Sequence, residues 1–231
     1  EGLIRNIENI STAALTYSTR ARMMVTCGMS GVELEQDYID GDSFDQDLFI
    51  KDIPDFQNRV WFDQASIKQD NSDARFVFID ESITKEEHKE RFADSDSEGD
   101  VASLGTGSRS DVYYNKPDVI IISRCYYKYP VKIDIVMMSD GSVYKDDENL
   151  AKVIDELAAA GITETNRRTR ESFKVYQRYL DSEQWLTEAE ETAFEILPVF
   201  GCYANHKVID GKAIVRGAIA KAMDQQRVHN M

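Results

Sequence analysis

The sequence has few of the residues that build metal sites and disulfide frameworks. Its three cysteines, Cys27, Cys125 and Cys202, are widely spaced without a C-x-x-C pair, and its three histidines lie far apart. Structural zinc sites use closely spaced pairs of these residues, and small disulfide scaffolds use many cysteines in a short chain. We therefore predict free thiols in a reducing compartment, no metal site and no resident cofactor.

Long hydrophobic runs and an excess of positive charge are also missing. The apolar run at residues 119–122 stops at Ser123, far short of the ~18 residues that a membrane-spanning helix needs. The 42 acidic and 27 basic residues give a net charge of −15. Because binding to a phosphate backbone depends on clustered Lys and Arg, we expect neither a membrane span nor tight nucleic-acid binding.

The residues that are present predict an α+β fold of short, largely antiparallel strands with three to four helices. Apolar residues recur at helical spacing over residues 3–24, and Gly28 is the expected stop of that helix. Further helices are expected at residues 84–92, where Thr84 and Glu87 form a capping box, at 146–160, where Gly161 is the expected stop, and at 213–231. Asp140 and Gly141 are expected to form a hairpin turn. Strands are expected at residues 31–35, 48–54, 60–62, 76–79, 119–129, 131–138, 142–144, 172–180 and 184–187.

One stretch is poor in apolar residues and rich in Ser, Gly and Asp. We expect a flexible loop or insertion at residues 94–116, within a single domain that spans residues 1–212. Its start resembles a calcium-binding loop, with acidic groups at positions one, three and five and Gly99 at position six. Gly105 occupies position twelve, where such a loop needs a bidentate Glu, so a solvated linker is the preferred interpretation.

Few residues are candidates for catalysis. Asp134 and Glu195 are flanked by apolar residues, as one member of a general acid–base pair should be. Alternation along a strand would instead place both on a solvent-exposed face. His88 lies in a charged helix and is expected to be exposed. We therefore predict no catalytic residues.

One cluster of basic residues stands out on an expected strand: Arg167, Arg168, Arg170, Lys174 and Arg178. Tyrosines alternate with its second half, a pattern that can bind single-stranded nucleic acid. On a strand, however, Arg168, Arg170 and Lys174 share one face, and the net charge is strongly negative. We therefore predict a contact between subunits, for which the acidic segment at residues 37–47 is a plausible complement.

The order of these segments resembles the portal proteins of short-tailed double-stranded DNA bacteriophages. VWFDQAS at residues 60–66, followed by DNSDAR at 70–75, is similar to a family strand that leads into a Ser-Asp-Ala-Arg segment. A Glu-rich helix follows in both. The helix end CGMSGV at residues 27–32 and the string ILPVFG at 196–201 also occur in the family's order.

This resemblance implies a structural subunit and not an enzyme. The family forms a head-to-tail connector, a homododecameric ring at one capsid vertex, through which DNA is packaged and ejected and on which terminase and tail dock. The implied partners are other copies of the chain, capsid protein, terminase, tail adaptor, and double-stranded DNA that passes without tight binding. The implied location is the virion, after assembly in the host cytoplasm. Residues 1–212 would form a wing-like domain, and residues 213–231 the start of a long stem helix.

Two alternatives remain open at this point. One is a metal-dependent hydrolase that uses the Asp and Glu clusters, and the other is a binding module that forms no ring. The chain begins at Glu1 without a Met, and its last expected helix has no stop signal. We therefore expect a segment of a longer protein, whose contacts with motor and tail lie beyond Met231.

Overall fold

The computed structural model describes residues 2–42, 44–93, 119–146, 148–181, 184–209 and 212–229. The loop expected at residues 94–116, with its calcium-like stretch, lies outside these residues. The α-helices are α1 (Gly2–Ile10), α2 (Ala13–Thr26), α3 (Phe56–Arg59), α4 (Lys85–Arg91), α5 (Glu148–Ala159) and α6 (Met223–His229). The strands are β1 (Met29–Tyr38), β2 (Gln46–Asp52), β3 (Val60–Phe62), β4 (Phe76–Thr84), β5 (Val119–Met138), β6 (Val143–Lys145), β7 (Glu164–Leu180), β8 (Glu190–Glu191), β9 (Val199–Tyr203), β10 (Asn205–Ile209) and β11 (Lys212–Arg216).

The strands form antiparallel sheets of three, six and two strands, which confirms the α+β class. The three-stranded sheet has the order β2-β1-β9. Strand β9 pairs with β1 only as far as Glu33, so the outer part of the β1–β2 hairpin, out to Tyr38 and Gln46, has two strands. The two-stranded sheet is the hairpin β10–β11.

The six-stranded sheet is built around two long neighbours, β5 and β7. Its order is β3-β4-β5-β7-β8, and β6 pairs with the far end of β5. Strand β4 pairs with the first part of β5 and ends at Phe76↔Tyr127, whereas β7 follows β5 from Ser123↔Leu180 to its end. Between Lys128 and Asp134, β5 therefore has β7 alone beside it among the strands of the structure.

Strand β5 continues through Pro130, where the sequence predicted two separate strands. The Lys128 N–H donates to the Arg75 carbonyl oxygen at 2.8 Å, on the β4 side of the strand. Two residues later, the Pro130 nitrogen faces the same side, beyond the end of β4. Proline is tolerated at a position whose N–H would face a free strand edge, because no ladder hydrogen bond is lost there.

The buried apolar side chains of the described residues form three clusters, of which the main one lies between the two larger sheets. The main cluster joins both sheets through side chains of β4, β5, β7 and β9: Val77, Ile79, Tyr126, Val175 and Val199. A second cluster seats α4 on β4 and β5 through Ile83, Ile120, Ile122 and Phe92. The third seats α5 on the far end of β5 through Val136, Met138 and Leu150. No helix in the described part of the chain is long and apolar enough to cross a membrane.

The described residues contain six α-helices and not three to four, because the first expected helix is split and the four-residue helix α3 was not foreseen. The split falls at Ser11 and Thr12, and Thr12 has a φ of 50°. The Ser11 hydroxyl accepts a hydrogen bond from the Ile50 N–H at 2.9 Å. This bond connects the break in the helix to β2. No local sequence signal predicts the break.

The expected helix at residues 213–231 is wrong in its first part. Residues 212–216 form β11, which pairs with β10 from Asn205↔Arg216 onward. A 3₁₀ turn (Ala218–Lys221) follows, and α6 begins only at Met223. The β-branched Ile214 and Val215 favour a strand once a partner strand is beside them. The expected strand at residues 184–187 is reduced to a single bridge between Leu180 and Trp185.

Local signals for helix starts and turns are confirmed. The Thr84 hydroxyl accepts the Glu87 N–H at 3.2 Å at the start of α4. Gly28 ends α2 with a φ of 94°, and Gly141 and Gly161 also have positive φ in the turns predicted for them.

Gly217 lies where the backbone crosses the end of α2. A β-carbon on Gly217 would lie 2.3 Å from the Thr26 carbonyl oxygen, and one on Gly28 would lie 2.5 Å from the Arg216 carbonyl carbon. Backbone atoms cannot rotate away as a side chain can. We expect Gly217→Ala to lower the free energy of unfolding by about 1–3 kcal/mol, as overpacking does.

Urea unfolding followed by circular dichroism measures this change. Gly41→Ala is the control, because no atom lies within 4 Å of a β-carbon at that position. Equal stability of the two variants would show that the crossing is not tightly packed.

Candidate functional site: the basic strip on strand β7

The basic strip consists of the five residues predicted from the sequence: Arg167, Arg168, Arg170, Lys174 and Arg178. Four of them occupy even-numbered positions and share one face of β7, since alternate residues of a strand point the same way. Opposite them on β5 lie Ile135, Ile133, Tyr129 and Cys125. Arg167 points to the other face and is level with Val136 of the third core cluster.

Most of the strip is paired with groups of the same chain. Arg167 forms ion pairs with Glu164 and Asp146, so Asp146 contacts β7. The Lys174 Nζ lies 2.7 Å from a Glu191 carboxylate oxygen. These hydrogen-bonded pairs raise the pKa of Arg167 and Lys174 and lower the pKa of Glu191.

The remaining three residues differ in how they are held. Arg170 lies 3.9 Å from a Glu195 carboxylate oxygen. Arg178 donates to the Thr187 carbonyl oxygen at 2.7 Å, and its guanidinium lies 4.6 Å from the centre of the Trp185 ring. Arg168 is exposed and forms no ion pair with any residue that the structure describes. The strip therefore presents one uncommitted cation and not a row of five.

The strip continues into an aromatic surface on the same side of the six-stranded sheet. Paired residues of adjacent strands share a face, so the register aligns Phe78 with Trp61 and Cys125, and Tyr127 with Phe76 and Tyr176. The Tyr127 and Tyr176 rings stack at 5.7 Å. We call this surface the outer aromatic face, and its residues are Trp61, Phe76, Phe78, Tyr127, Tyr129 and Tyr176. The sequence did not predict this face, because its aromatic residues come together only through the register of four strands.

The outer aromatic face is partly exposed and mostly apolar. Trp61 and Tyr129 are 54% and 57% exposed, and the other rings are half-buried against one another. The core clusters that seat α4 and α5 contain residues of the opposite face, such as Ile120, Ile122 and Val136. Surfaces of this kind commonly mark protein contacts.

Comparison of the sequence with known proteins identifies its family. A family model described as phage P22-like portal protein matches residues 1–231. The chain belongs to this portal family. It is 33% identical over 192 residues to the portal protein of Acyrthosiphon pisum secondary endosymbiont phage 1. That match covers 80% of this chain and 26% of the relative, so the chain spans about a quarter of the relative's length.

Membership confirms the resemblance seen in the sequence. The residues considered for acid–base catalysis are exposed, as expected. Asp134 accepts a hydrogen bond from the Thr169 hydroxyl at 2.6 Å, and Glu195 accepts one from Lys145 at 2.9 Å. The hydrogen bond from Lys145 lowers the pKa of Glu195, which is opposite to the raised pKa that a general acid needs.

The possible metal ligands and the cysteines of the described residues were also compared with what metal or thiol chemistry needs. Within residues 2–93 and 119–229, apart from the short gaps, no group of three His, Cys, Asp or Glu side chains could hold a metal ion. The three cysteines are free. Burial raises the pKa of the Cys125 thiol to about 11, so it stays protonated at neutral pH and is a poor nucleophile.

His88 is buried, contrary to the expectation that it would be exposed. Its side chain is 1% exposed, and its ring centre lies 5.4 Å from that of Phe92. Residues four positions apart lie on one face of a helix, so these two rings together form the apolar side of α4. The surrounding Lys and Glu residues obscured this short apolar stripe in the sequence.

A buried charge cluster between the two larger sheets was also missed. Arg124 of β5 lies 2.8 Å from Glu33 of β1 and 3.0 Å from Glu81 of β4. The Tyr126 hydroxyl donates to the other Glu33 oxygen at 2.9 Å. Burial raises the pKa of Glu33, and Arg124 and the Tyr126 hydrogen bond oppose that shift. Burial alone would lower the pKa of Arg124, but Tyr126, Glu33 and Glu81 outweigh it and raise the value.

The cleft beside this cluster has balanced charge. It has a volume of about 320 Å³ and four carboxylates in its lining, opposed by four cations. The carboxylates belong to Glu33, Glu35, Asp52 and Glu81, and the cations to Lys51, Arg59, Arg91 and Arg124. A balanced lining attracts neither anions nor cations strongly, so we interpret the cluster as structural.

Removing Arg124 should be costly, because it leaves Glu33 buried without its countercharge. We expect Arg124→Met to lower the free energy of unfolding by about 3–5 kcal/mol. Arg22→Met is the matched control, since Arg22 is exposed and has no ion pair among the described residues. A loss of less than about 0.5 kcal/mol in both variants, as for ordinary surface changes, would contradict a structural role for the cluster.

The pKa of Glu33 also predicts a pH dependence. A carboxyl whose pKa is raised in the folded state binds a proton more readily there than in the unfolded chain. Its contribution to stability is fully present below its ordinary pKa of 4.5 and is lost as the pH rises through its raised folded value. We expect Glu33→Gln to gain stability relative to the unmodified chain as the pH rises from 4 to 7, in urea titrations at several pH values. A constant difference between the two proteins over this range would contradict the prediction.

Proposed function

We propose that this chain is part of a subunit that assembles into a closed ring at one capsid vertex, through which double-stranded DNA is packaged and ejected. In this role the ring is also the platform on which terminase and tail components dock. The observation that carries the proposal is the match to the portal family over the whole chain. A ring of twelve copies, a wing-like domain at residues 1–212 and a stem that begins within residues 213–231 remain predictions of the sequence.

The charge of the chain suits a conduit for a polyanion. The net charge is −15, and four of the five basic residues of the strip are held by acidic, carbonyl or aromatic groups of the same chain. Each free Lys or Arg that reaches a phosphate displaces counterions and adds affinity. A surface with little uncommitted positive charge therefore lets DNA pass without holding it.

Ring closure requires two different surfaces on each subunit, because a head-to-tail contact joins unlike patches. We infer that the basic strip is one of these surfaces. Arg168 is the member of the strip most available to a neighbour, since it has no ion pair among the residues described. A single change at this position should weaken assembly more than a change at Arg170, which already has a carboxylate near it.

The proposal is tested on the protein expressed at full length, by light scattering and negative-stain electron microscopy. We expect rings with a central channel and a mass close to twelve subunits. Arg168→Glu should raise the subunit concentration needed for half-assembly by about tenfold or more, a change that corresponds to ~1.4 kcal/mol or more. Arg22→Glu is the matched control, because both arginines are exposed and without an ion pair in the described chain.

A protein that remains a monomer at high concentration would refute the ring. Rings that form equally well from both variants would refute the strip as a contact and leave the ring intact.

A further inference from the structure

The outer aromatic face has the character of a docking surface. It presents six aromatic side chains on four neighbouring strands. The exposed Arg168 lies on the same face of β7, six positions along the strand from Lys174, which pairs with Tyr129. The helices that pack on this sheet, α4 and α5, contact the opposite face. Aromatic side chains and arginine are both enriched in the central part of protein interfaces. A fitting partner would insert apolar side chains among the rings and bring carboxylates to Arg168.

The β1–β2 hairpin of the same chain has this chemistry. Its outer end, residues 37–42 and 44–47, we call the hairpin tip. Phe44 is 95% exposed there, and Tyr38 and Ile39 are about half exposed. Asp37 and Asp40 line a cleft together with the rings of Tyr38 and Phe44. Carboxylates combined with aromatic rings are a favourable setting for a guanidinium group.

Four carboxylates of the hairpin tip have no ion pair among the described residues. The aspartates at positions 37, 40, 42 and 47 form no ion pair with the residues that the structure describes, and several accept only hydrogen bonds from nearby backbone N–H groups. Solvent exposure of Phe44 in an isolated molecule costs hydrophobic free energy, at roughly 25 cal/mol per Å² of apolar surface. Both facts indicate a surface that is covered in an assembly.

We propose that the hairpin tip of one copy docks on the outer aromatic face of a second copy, with Phe44 among the rings and Arg168 facing the aspartates. This inference rests on the proposed function, since it supplies the second surface that a head-to-tail ring needs. The occupant is a copy of this chain and not another protein, because the two complementary surfaces are present on one chain. Nucleic acid is disfavoured, since most cations beside the face are already paired.

The first test is crosslinking at the hairpin tip in the protein expressed at full length. Phe44 is replaced by the photoreactive p-benzoylphenylalanine, the assembled sample is irradiated, and the adducts are mapped by mass spectrometry. We expect crosslinks between copies, from position 44 to residues at the end of the outer aromatic face nearer Arg168, such as Tyr129 or Tyr176. Adducts on a different surface, or confined to one chain, would overturn the proposal.

The second test measures the apolar contribution of the tip. Phe44→Ser should raise the concentration for half-assembly by about tenfold or more. Ile67→Ser is the matched control, because Ile67 is 90% exposed in a different loop and should assemble normally. Both substitutions replace an exposed apolar side chain, so neither should affect folding.

The third test exchanges charges across the contact. The reversal Asp40→Lys with Asp42→Lys should weaken assembly, as should Arg168→Glu alone. A chain that carries all three changes should recover at least part of the loss, because each tip again meets a face of opposite charge. Glu188→Lys, at another exposed site, is the control for a change of net charge.

The outcomes separate the two proposals. If the unmodified protein forms no ring, the proposed function fails and the inference fails with it. If Arg168→Glu weakens the ring but the tip variants assemble normally, the strip is a contact and the hairpin tip is not its partner. Weakened assembly by the tip variants, with recovery in the combined variant, supports the docking.

Discussion

The buried ion pair between Glu33 and Arg124 is the interaction on which the arrangement of the two larger sheets depends. Glu33 lies on the central strand of one sheet and Arg124 on the longest strand of the other, 91 positions later. A buried pair of this kind adds little net stability over an apolar pair, because both charges lose their hydration. Its effect is selective: a different sheet alignment would leave either charge buried alone. The hydrophobic cluster holds the sheets together, and this pair disfavours alignments in which its two charges would be buried apart.

Exposed basic residues of this chain are also paired with carboxylates nearby. An acidic chain has many carboxylates available, so a basic residue on an exposed strand readily finds one nearby. Arg167 and Lys174 are held in this way by neighbours in their own chain, although such exposed pairs contribute only ~0–1 kcal/mol each. What distinguishes Arg168 from the other basic residues of the strip is therefore the absence of an ion pair among the described residues, and not the presence of positive charge.

Features encoded by adjacent residues could be predicted from the sequence, and features encoded by distant residues could not. The Thr84 cap, the turn at Gly141 and the shared face of the strip all depend on spacings of a few residues. The break after α1 depends on Ile50, and β11 forms a strand because β10 lies beside it. The outer aromatic face and the burial of Glu33 depend on strand register and sheet packing, for which a single sequence contains no local signal. Family resemblance could be recognised because it rests on the order of segments.

Among the described residues, the six-stranded sheet is only two strands wide around Pro130, and we call this part the joint. Around Pro130, β5 and β7 form a ribbon of two strands, and beyond it a small block with its own core joins β6, α5 and the strand ends. A ribbon resists stretching along its strands but bends easily across its thickness, and two-stranded ribbons twist more than wide sheets. Exposed ion pairs from Glu195 to Lys145 and Arg170 brace the joint only weakly. The block can therefore tilt as a unit without disturbing the main core.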